Sequence, residues 1–393
     1  MTTNKTPLQQ LLNNIAKENG FEQYKIDIKE LSSDGANYSS ILYTVDIKEE
    51  NNLKPDLHLF AKVCVLGEHI RKEFPSSFLE IELYCYTTLW KAFKKLEDEC
   101  GLAEEQRLAF TKFYGGDPTV YQETIVLENL LAHGYQPFDR FHSIDWEYAS
   151  SAVKELSKMH ALSYAYRDKH PEEFQEVFDN FSKSWPEGVM DAVEKGSAAN
   201  ALKHVKPENK EALARFLDQY MKDMLMSFYQ PTAPRPVLVH GDYRGSNLMH
   251  RRREDGSVDI KIVDLQTLQG GSPVTDLLYF IFTGSDEQFR AEYYDKLIDH
   301  YYAELSAALK RLHLNPDEIY SRQHFDQELQ EKLPFGLALA VFTLPVITVD
   351  TDKAPKVNES MEITDFSVSN TSALYKERLN GVINDYVRWG VLK

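Results

Sequence analysis

The sequence predicts an α+β protein of two lobes, a small antiparallel sheet with one inserted helix followed by a larger, mainly helical part, and three observations carry that prediction. Alternating or β-branched runs are concentrated between residues 20 and 127. Apolar residues recur at helical spacing through most of the chain after Asp145. Three short strand-like runs interrupt the helical part between residues 236 and 264, and they carry its most reactive side chains. A length of 393 residues suits two or three packing units better than one core.

In the first part, residues 40–48 alternate apolar with polar, residues 57–65 form an apolar run, and the chain between them has hairpin-turn chemistry. Residues 77–96 space Ile81, Tyr84, Leu89, Phe93 and Leu96 as one helical face. Two more strands are expected near 109–113 and 121–127. In the second part, Asp145 is placed to cap a helix running through Val153, Leu156 and Met159 to about Tyr166, and residues 207–229, 276–282, 288–312 and 372–389 are helix-like. The strand-like exceptions are 236–240, 247–251 and 258–264, the last two joined by the turn Glu254-Asp255-Gly256.

Composition narrows the partners. A net charge of −17 repels phosphate backbones and anionic lipid heads, so neither nucleic acid nor a membrane surface is expected as partner. The triplet Arg251-Arg252-Arg253 sits beside Glu254 and Asp255 and reads as a solvated hairpin arm. The first residues contain no apolar signal segment, and the longest apolar stretch, 334–347, is expected to be too short to cross a bilayer. Three cysteines without CxxC spacing are expected as reduced, buried thiols, which points to the cytoplasm.

The reactive constellation is His240-x-Asp242-x4-Asn247 followed by Asp264-Leu265-Gln266. Phosphoryl transfer asks little covalent chemistry of a protein; it needs an oriented hydroxyl, metal ions on the phosphates and a basic clamp. Asp242, on a loop leaving a strand, is the candidate base for an acceptor hydroxyl. Asn247 and Asp264, at the same end of a hairpin, are candidate oxygen ligands for Mg²⁺. His240 is expected to be a structural hydrogen-bonding residue. Lys62, a charge in an otherwise apolar strand, needs an anion, either a phosphate or a helix carboxylate, unless it sits at an edge facing water. Glu80 and Glu82 are both within reach but two residues apart, so only one can face it. The turn from Ser32 to Ser40, which includes Ser39, either lies over phosphates or is an ordinary hairpin turn. Glu128 and Leu130 stand where the two parts join, the place for a nucleotide base to meet backbone groups. Asp276 either hydrogen-bonds the catalytic loop or caps a helix.

With these residues in view, the chain resembles the ecdysteroid kinase-like (CHK kinase-like) family, within the aminoglycoside phosphotransferase and choline kinase superfamily. The resemblance rests on Gly35-Ala-Asn-Tyr-Ser-Ser40, Val126-Leu-Glu-Asn-Leu130, Leu156-Ser-Lys-Met-His-Ala161, Val237-Leu-Val-His-Gly-Asp242 with Asn247, Val263-Asp-Leu-Gln-Thr267, Ser272-Pro-Val-Thr-Asp-Leu-Leu-Tyr279 and Arg378-Leu-Asn-Gly-Val-Ile383. It implies a bilobal protein-kinase-like fold of the aminoglycoside phosphotransferase type, with residues 1–130 as nucleotide-binding lobe and 131–393 as catalytic and acceptor-binding lobe. It also implies ATP as donor, a base at Asp242, metal ligands at Asn247 and Asp264, and a phosphate-binding Lys62. The acceptor would be a hydroxylated small molecule, an ecdysteroid or a detoxified alcohol; a choline- or aminoglycoside-type kinase and a catalytically silent binding protein are the alternatives. Where the family usually has an aromatic residue this chain has Arg244, and where it has phenylalanine the chain has Leu265. Arg244 is therefore either an acceptor contact or a solvent-facing side chain.

Overall fold

The structure is a computed structural model that describes residues 5–32, 40–50, 54–73, 78–181, 191–229, 235–354 and 368–393. Its first part is a five-stranded antiparallel sheet in the order β1-β2-β3-β5-β4, preceded by α1 (Lys5–Glu18), a helix the sequence reading did not assign. The strands are β1 (Tyr24–Leu31), β2 (Ser40–Glu49), β3 (Leu57–Cys64), β4 (Phe113–Asp117) and β5 (Thr124–Glu128). Between β3 and β4 lie the short α2 (Glu68–Glu73), α3 (Phe78–Tyr84) and α4 (Trp90–Glu99). The expected single helix over 77–96 is thus interrupted: Cys85–Leu89 widens into one π-turn, which resets the phase between α3 and α4.

Alternation in the strands divides the sheet into two faces. Tyr43, Val45, Ile47, Leu59, Ala61 and Val63 pack beneath Leu8, Leu12 and Ile15 of α1. Residues between them, such as Leu42, Phe60 and Lys62, necessarily point the other way. Lys62 pairs with Leu42 on one side and Ile125 on the other, so it sits on the central strand rather than at an edge.

The remainder is built around α5 (Trp146–Lys169), capped by Asp145, whose side chain accepts from Tyr148 N–H at 2.9 Å. It continues through α6 (Pro171–Phe181), α7 (Asp191–His204) and α8 (Lys210–Tyr229). Four short strands follow: β6 (Val237–Val239), β7 (Leu248–Arg252), β8 (Val258–Ile262) and β9 (Gln269–Gly271). β7 and β8 form the expected hairpin; β6 pairs with β9, a three-residue strand too short to show a period. The chain closes with α9 (Pro273–Gly284), α10 (Glu287–Arg311), α11 (Pro316–Ile319), α12 (Arg322–Ile347) and α13 (Ala373–Arg388).

The apolar stretch judged too short for a bilayer is longer than its composition suggested, because helix continues through Pro334. By length and composition, residues Pro316 to Ile347 could cross a membrane. In the fold the apolar half is core. Phe335, Leu337, Ala338, Ala340 and Val341 are fully buried, and Gly336 is so closely approached by Phe282 and Tyr386 that a Cβ would lie 2.4 Å from the tyrosine oxygen. Cys64 and Cys85 are buried, Cys100 is half-buried, and all three are free thiols.

Candidate active site

Strand β6 and the turn after it set the loop that carries Asp242. Gly241 has φ +82°, and a Cβ there would sit 2.3 Å from the Thr267 carbonyl oxygen, so only glycine fits. The fully buried Asp276 accepts from the backbone N–H of His240 at 2.7 Å and of Gly241 at 3.0 Å. The cap of α9 is Ser272, so Asp276 is not a capping residue but the anchor of the loop. His160 on α5 supports the same carboxylate through Nε2 at 3.1 Å, while its Nδ1 accepts from Tyr301 O–H at 2.7 Å. Nothing in the sequence singled out His160 or Tyr301 for this task, since their partners lie more than a hundred residues away.

His240 Nδ1 accepts from Asp242 N–H at 3.2 Å, which leaves Nε2–H to donate to the Val263 carbonyl at 3.0 Å. The histidine thus ties the Asp242 loop to the chain just before Asp264. Asn247 Nδ2 donates to the Asp242 carbonyl at 2.9 Å and to its carboxylate at 2.8 Å. Both partners are acceptors, which settles the amide orientation and leaves Oδ1 as its remaining donor atom for a cation. Val263 N–H donates to the Asn247 carbonyl at 3.0 Å, so the hairpin does bring Asn247 beside Asp264. Asp264 itself has left-handed backbone, φ 65° and ψ 59°, a conformation that costs on the order of 1–3 kcal/mol in a non-glycine residue and gathers at functional sites.

Lys62 donates to Glu82 Oε2 at 2.7 Å and to Asp264 Oδ1, with Gln266 Oε1 at 3.3 Å. Of the two carboxylates the sequence left open, Glu82 is buried on this contact and Glu80 is exposed; α3 turns its other face to the sheet. Burial alone would lower the Lys62 pKa, but the charges of Asp264 and Glu82 outweigh it and hold the ammonium protonated well above its ordinary range. Burial would likewise raise the Asp264 carboxyl; Lys62 overrides it and keeps the group below the usual carboxylate range.

Four of these polar residues line one cavity of about 660 Å³. Lys62, Glu82, Asn247 and Asp264 form its polar end, and Glu128, Asn129 and Leu130 form the joint between the two parts of the chain. Apolar walls come from Leu42, Phe60, Leu127, Met249 and Val263; of these, sequence reasoning names Leu127 and Val263 only as parts of longer motifs and gives none of the five a place in a cavity wall. The signal was available for Phe60, two residues from Lys62 on the same face of β3. The side chain of Glu128 is engaged within the chain: its Oε1 accepts from Lys112 N–H at 2.9 Å and from Lys261 Nζ at 2.6 Å. Ser39 lies outside the described residues.

A family model for the ecdysteroid kinase-like family matches residues 34–314, well over half of the chain and all of the site just described. The chain belongs to the ecdysteroid kinase-like family. It is a small-molecule kinase. No curated protein matches it. Among solved structures it is similar to a microcompartment-associated aminopropanol kinase at 11% identity and a TM-score of 0.43, covering 98% of this chain and 99% of that one. It is also similar to the GDP complex of a wild-type aminoglycoside 2'-phosphotransferase at 11% identity and a TM-score of 0.35, covering 85% and 98%.

Arg244, two residues after Asp242, is not the solvent-facing side chain that was one of its two expected readings. Arg244 is neither turned to solvent nor held away from the loop: its Nε lies 2.9 and 3.0 Å from the two carboxylate oxygens of Asp242. Burial would weaken the guanidinium charge, and Asp242 more than offsets it, raising the arginine above its ordinary range.

Proposed function

We propose that this kinase transfers the γ-phosphoryl group of ATP, in a magnesium-dependent reaction, to a hydroxyl of a lipophilic or polyhydroxylated small molecule such as an ecdysteroid or a detoxified alcohol. The single observation that supports this best is the shared carboxylate–amide contact. Asn247 touches the Asp242 carboxylate at 2.8 Å and also lines the cavity that holds Lys62, Glu82 and Asp264. One side chain therefore joins a base to a phosphate-binding cavity.

On this reading residues 1–130 hold the nucleotide and residues 131–393 supply the catalytic loop and the acceptor. The backbone at Glu128 and Leu130 meets the purine, whose faces lie between Leu42 and Phe60 above and Met249 and Val263 below. Lys62, kept charged and aimed by Glu82, grips the α- and β-phosphates. Among the described residues no group of three or more His, Cys, Asp or Glu side chains is gathered for a metal. The amide oxygen of Asn247 and the carboxylate of Asp264 are a hard oxygen pair of the kind that Mg²⁺ completes with phosphate oxygens and water. Magnesium bound there would neutralise charge on the transferring phosphate. The acceptor oxygen forms the new bond to phosphorus as the bond to the β-phosphate oxygen breaks. Asp242 takes the hydroxyl proton, and ADP departs.

The test is mass spectrometry of a panel of hydroxylated steroids and xenobiotic alcohols incubated with Mg-ATP and the full chain, with Asp242→Asn in parallel. A product heavier by one phosphoryl group, formed about 10²- to 10⁴-fold more slowly by the variant, is the expected result. Equal product from both proteins would remove Asp242 from the role of base. Failure to bind ATP would remove the kinase reading of the cavity.

A further inference from the structure

The contact between Arg244 and the base is not required by phosphoryl transfer, and it has a consequence for the acceptor. The Arg244 side chain is only 13% exposed, and its Nε reaches both Asp242 oxygens at 2.9 and 3.0 Å. Oδ2 also accepts from Asn247 at 2.8 Å. A carboxylate offers about four lone-pair sites, and the single Arg244 Nε–H, shared between both oxygens, together with the Asn247 amide already engages three of them. An acceptor hydroxyl reaches the base only by sharing with the arginine or by displacing it. A neutral hydroxyl competes poorly, because a hydrogen bond between ionised partners is roughly twice as strong as one between neutral groups. A second anion competes well, since the planar guanidinium fork matches carboxylate, sulfate and phosphate oxygens.

We propose that Arg244 masks Asp242 until an acceptor carrying its own anionic group arrives, so that the preferred acceptors of this enzyme pair the reacting hydroxyl with a nearby carboxylate, sulfate or phosphate. This rests on the phosphotransferase reading given above. The acceptor anion takes the guanidinium, Asp242 is uncovered, and the hydroxyl proton passes to it as the γ-phosphoryl group moves to the acceptor oxygen. The overall charge of −17 would otherwise repel such an acceptor. A single cation beside the base lets the site select for what the rest of the surface disfavours. The same contact makes Arg244 a specificity-determining residue rather than a member of the phosphate clamp, whose lysine lies across the lobes at Lys62.

The experiment compares a hydroxysteroid carboxylic acid with its own methyl ester, which removes the charge and keeps the skeleton. Initial rates of phosphorylated product are followed by mass spectrometry with Mg-ATP for wild type, Arg244→Met and Arg244→Lys. Wild type is expected to prefer the acid by roughly 10- to 100-fold, the range of one charge-assisted hydrogen bond. Arg244→Met is expected to lose that preference and to phosphorylate the ester faster than wild type, because the base is no longer covered. Arg244→Lys, which retains charge without the fork, should keep part of the preference; it also serves if the methionine variant folds poorly. Equal slowing of acid and ester in both variants would overturn the proposal and reduce Arg244 to a prop for the base. A wild type that phosphorylates the ester but not the acid would overturn it while leaving the kinase reading intact. No phosphorylation of any alcohol would remove both.

Discussion

Two buried clusters of acids and bases tie the sheet-bearing part of the chain to the helical part, and they are built differently. In the first, Lys62 lies between Glu82 and Asp264. In the second, Glu97 on α4 lies near Lys158 on α5, which pairs with Glu155. The second is closed on itself by the main chain. Glu97 accepts from Leu108 N–H at 2.7 Å, and Lys158 Nζ donates to the Arg107 carbonyl at 2.9 Å, the Glu105 carbonyl at 3.3 Å and Glu155 at 2.6 Å. The first relies on side chains alone for Lys62, lines a cavity, and includes a left-handed aspartate. Buried charge by itself therefore reports on packing. Burial that opens on a cavity, with strained backbone beside it, reports on ligand chemistry.

The comparison can be broken by exchanging each lysine for methionine. Lys62→Met leaves Glu82 and Asp264 without their cation and should cost about 3–5 kcal/mol in urea unfolding, with ATP binding lost in calorimetry. Lys158→Met should show a comparable loss of stability but keep ATP binding and turnover per folded molecule. Loss of turnover from both variants would erase the distinction between the clusters.

A smaller effect sharpens it through pH. Burial lifts the Glu97 carboxyl from its ordinary 4.5 to about 7, against the opposing Leu108 hydrogen bond and the charge of Arg107. The folded state then holds a proton that the unfolded state has released, so stability falls as pH rises. The contribution is complete below pH 4.5 and lost as pH passes through 7. Glu97→Gln keeps an oxygen for Leu108 N–H and removes the titration. Its denaturation midpoint should lose this part of the wild-type decline between pH 5 and 8, and an unchanged decline would place the titrating group elsewhere.

The smallest effect is expected on the surface. Arg252 pairs with Asp145, both about half exposed. Arg252→Ala should change unfolding free energy by less than about 1 kcal/mol, because the other Asp145 oxygen still caps α5 through Tyr148 N–H. A larger loss would mean that surface charge carries more of this fold than the two buried clusters suggest.

Much of this architecture could be read from residues near in sequence. The alternation of β2, the apolar run of β3, the Asp145 cap and the β7–β8 hairpin are local, because strand period, cap chemistry and a Glu-Asp-Gly turn act within a few residues. Boundaries slipped where a local pattern had two phases. The π-turn at Cys85–Leu89 splits one apparent helix, and β4 begins at Phe113 where a strand was expected to end.

By itself, the sequence determined the candidate side chains: Asp242 and Asn247 share one loop, Asp264 ends a hairpin strand, and Lys62 is a charge in an apolar run that burial would punish without a partner. Only tertiary structure decided which partner each one meets. Glu82 faces Lys62 because α3 docks with its opposite side outward and leaves Glu80 in water. Asp276 anchors the loop, helped by His160 and Tyr301, and Arg244 folds back onto Asp242 rather than toward solvent. Propensity and spacing act over a turn or two, whereas all of these contacts but that of Arg244 join residues 20 to 141 apart. The direction of a side chain at that range is set by how whole elements pack.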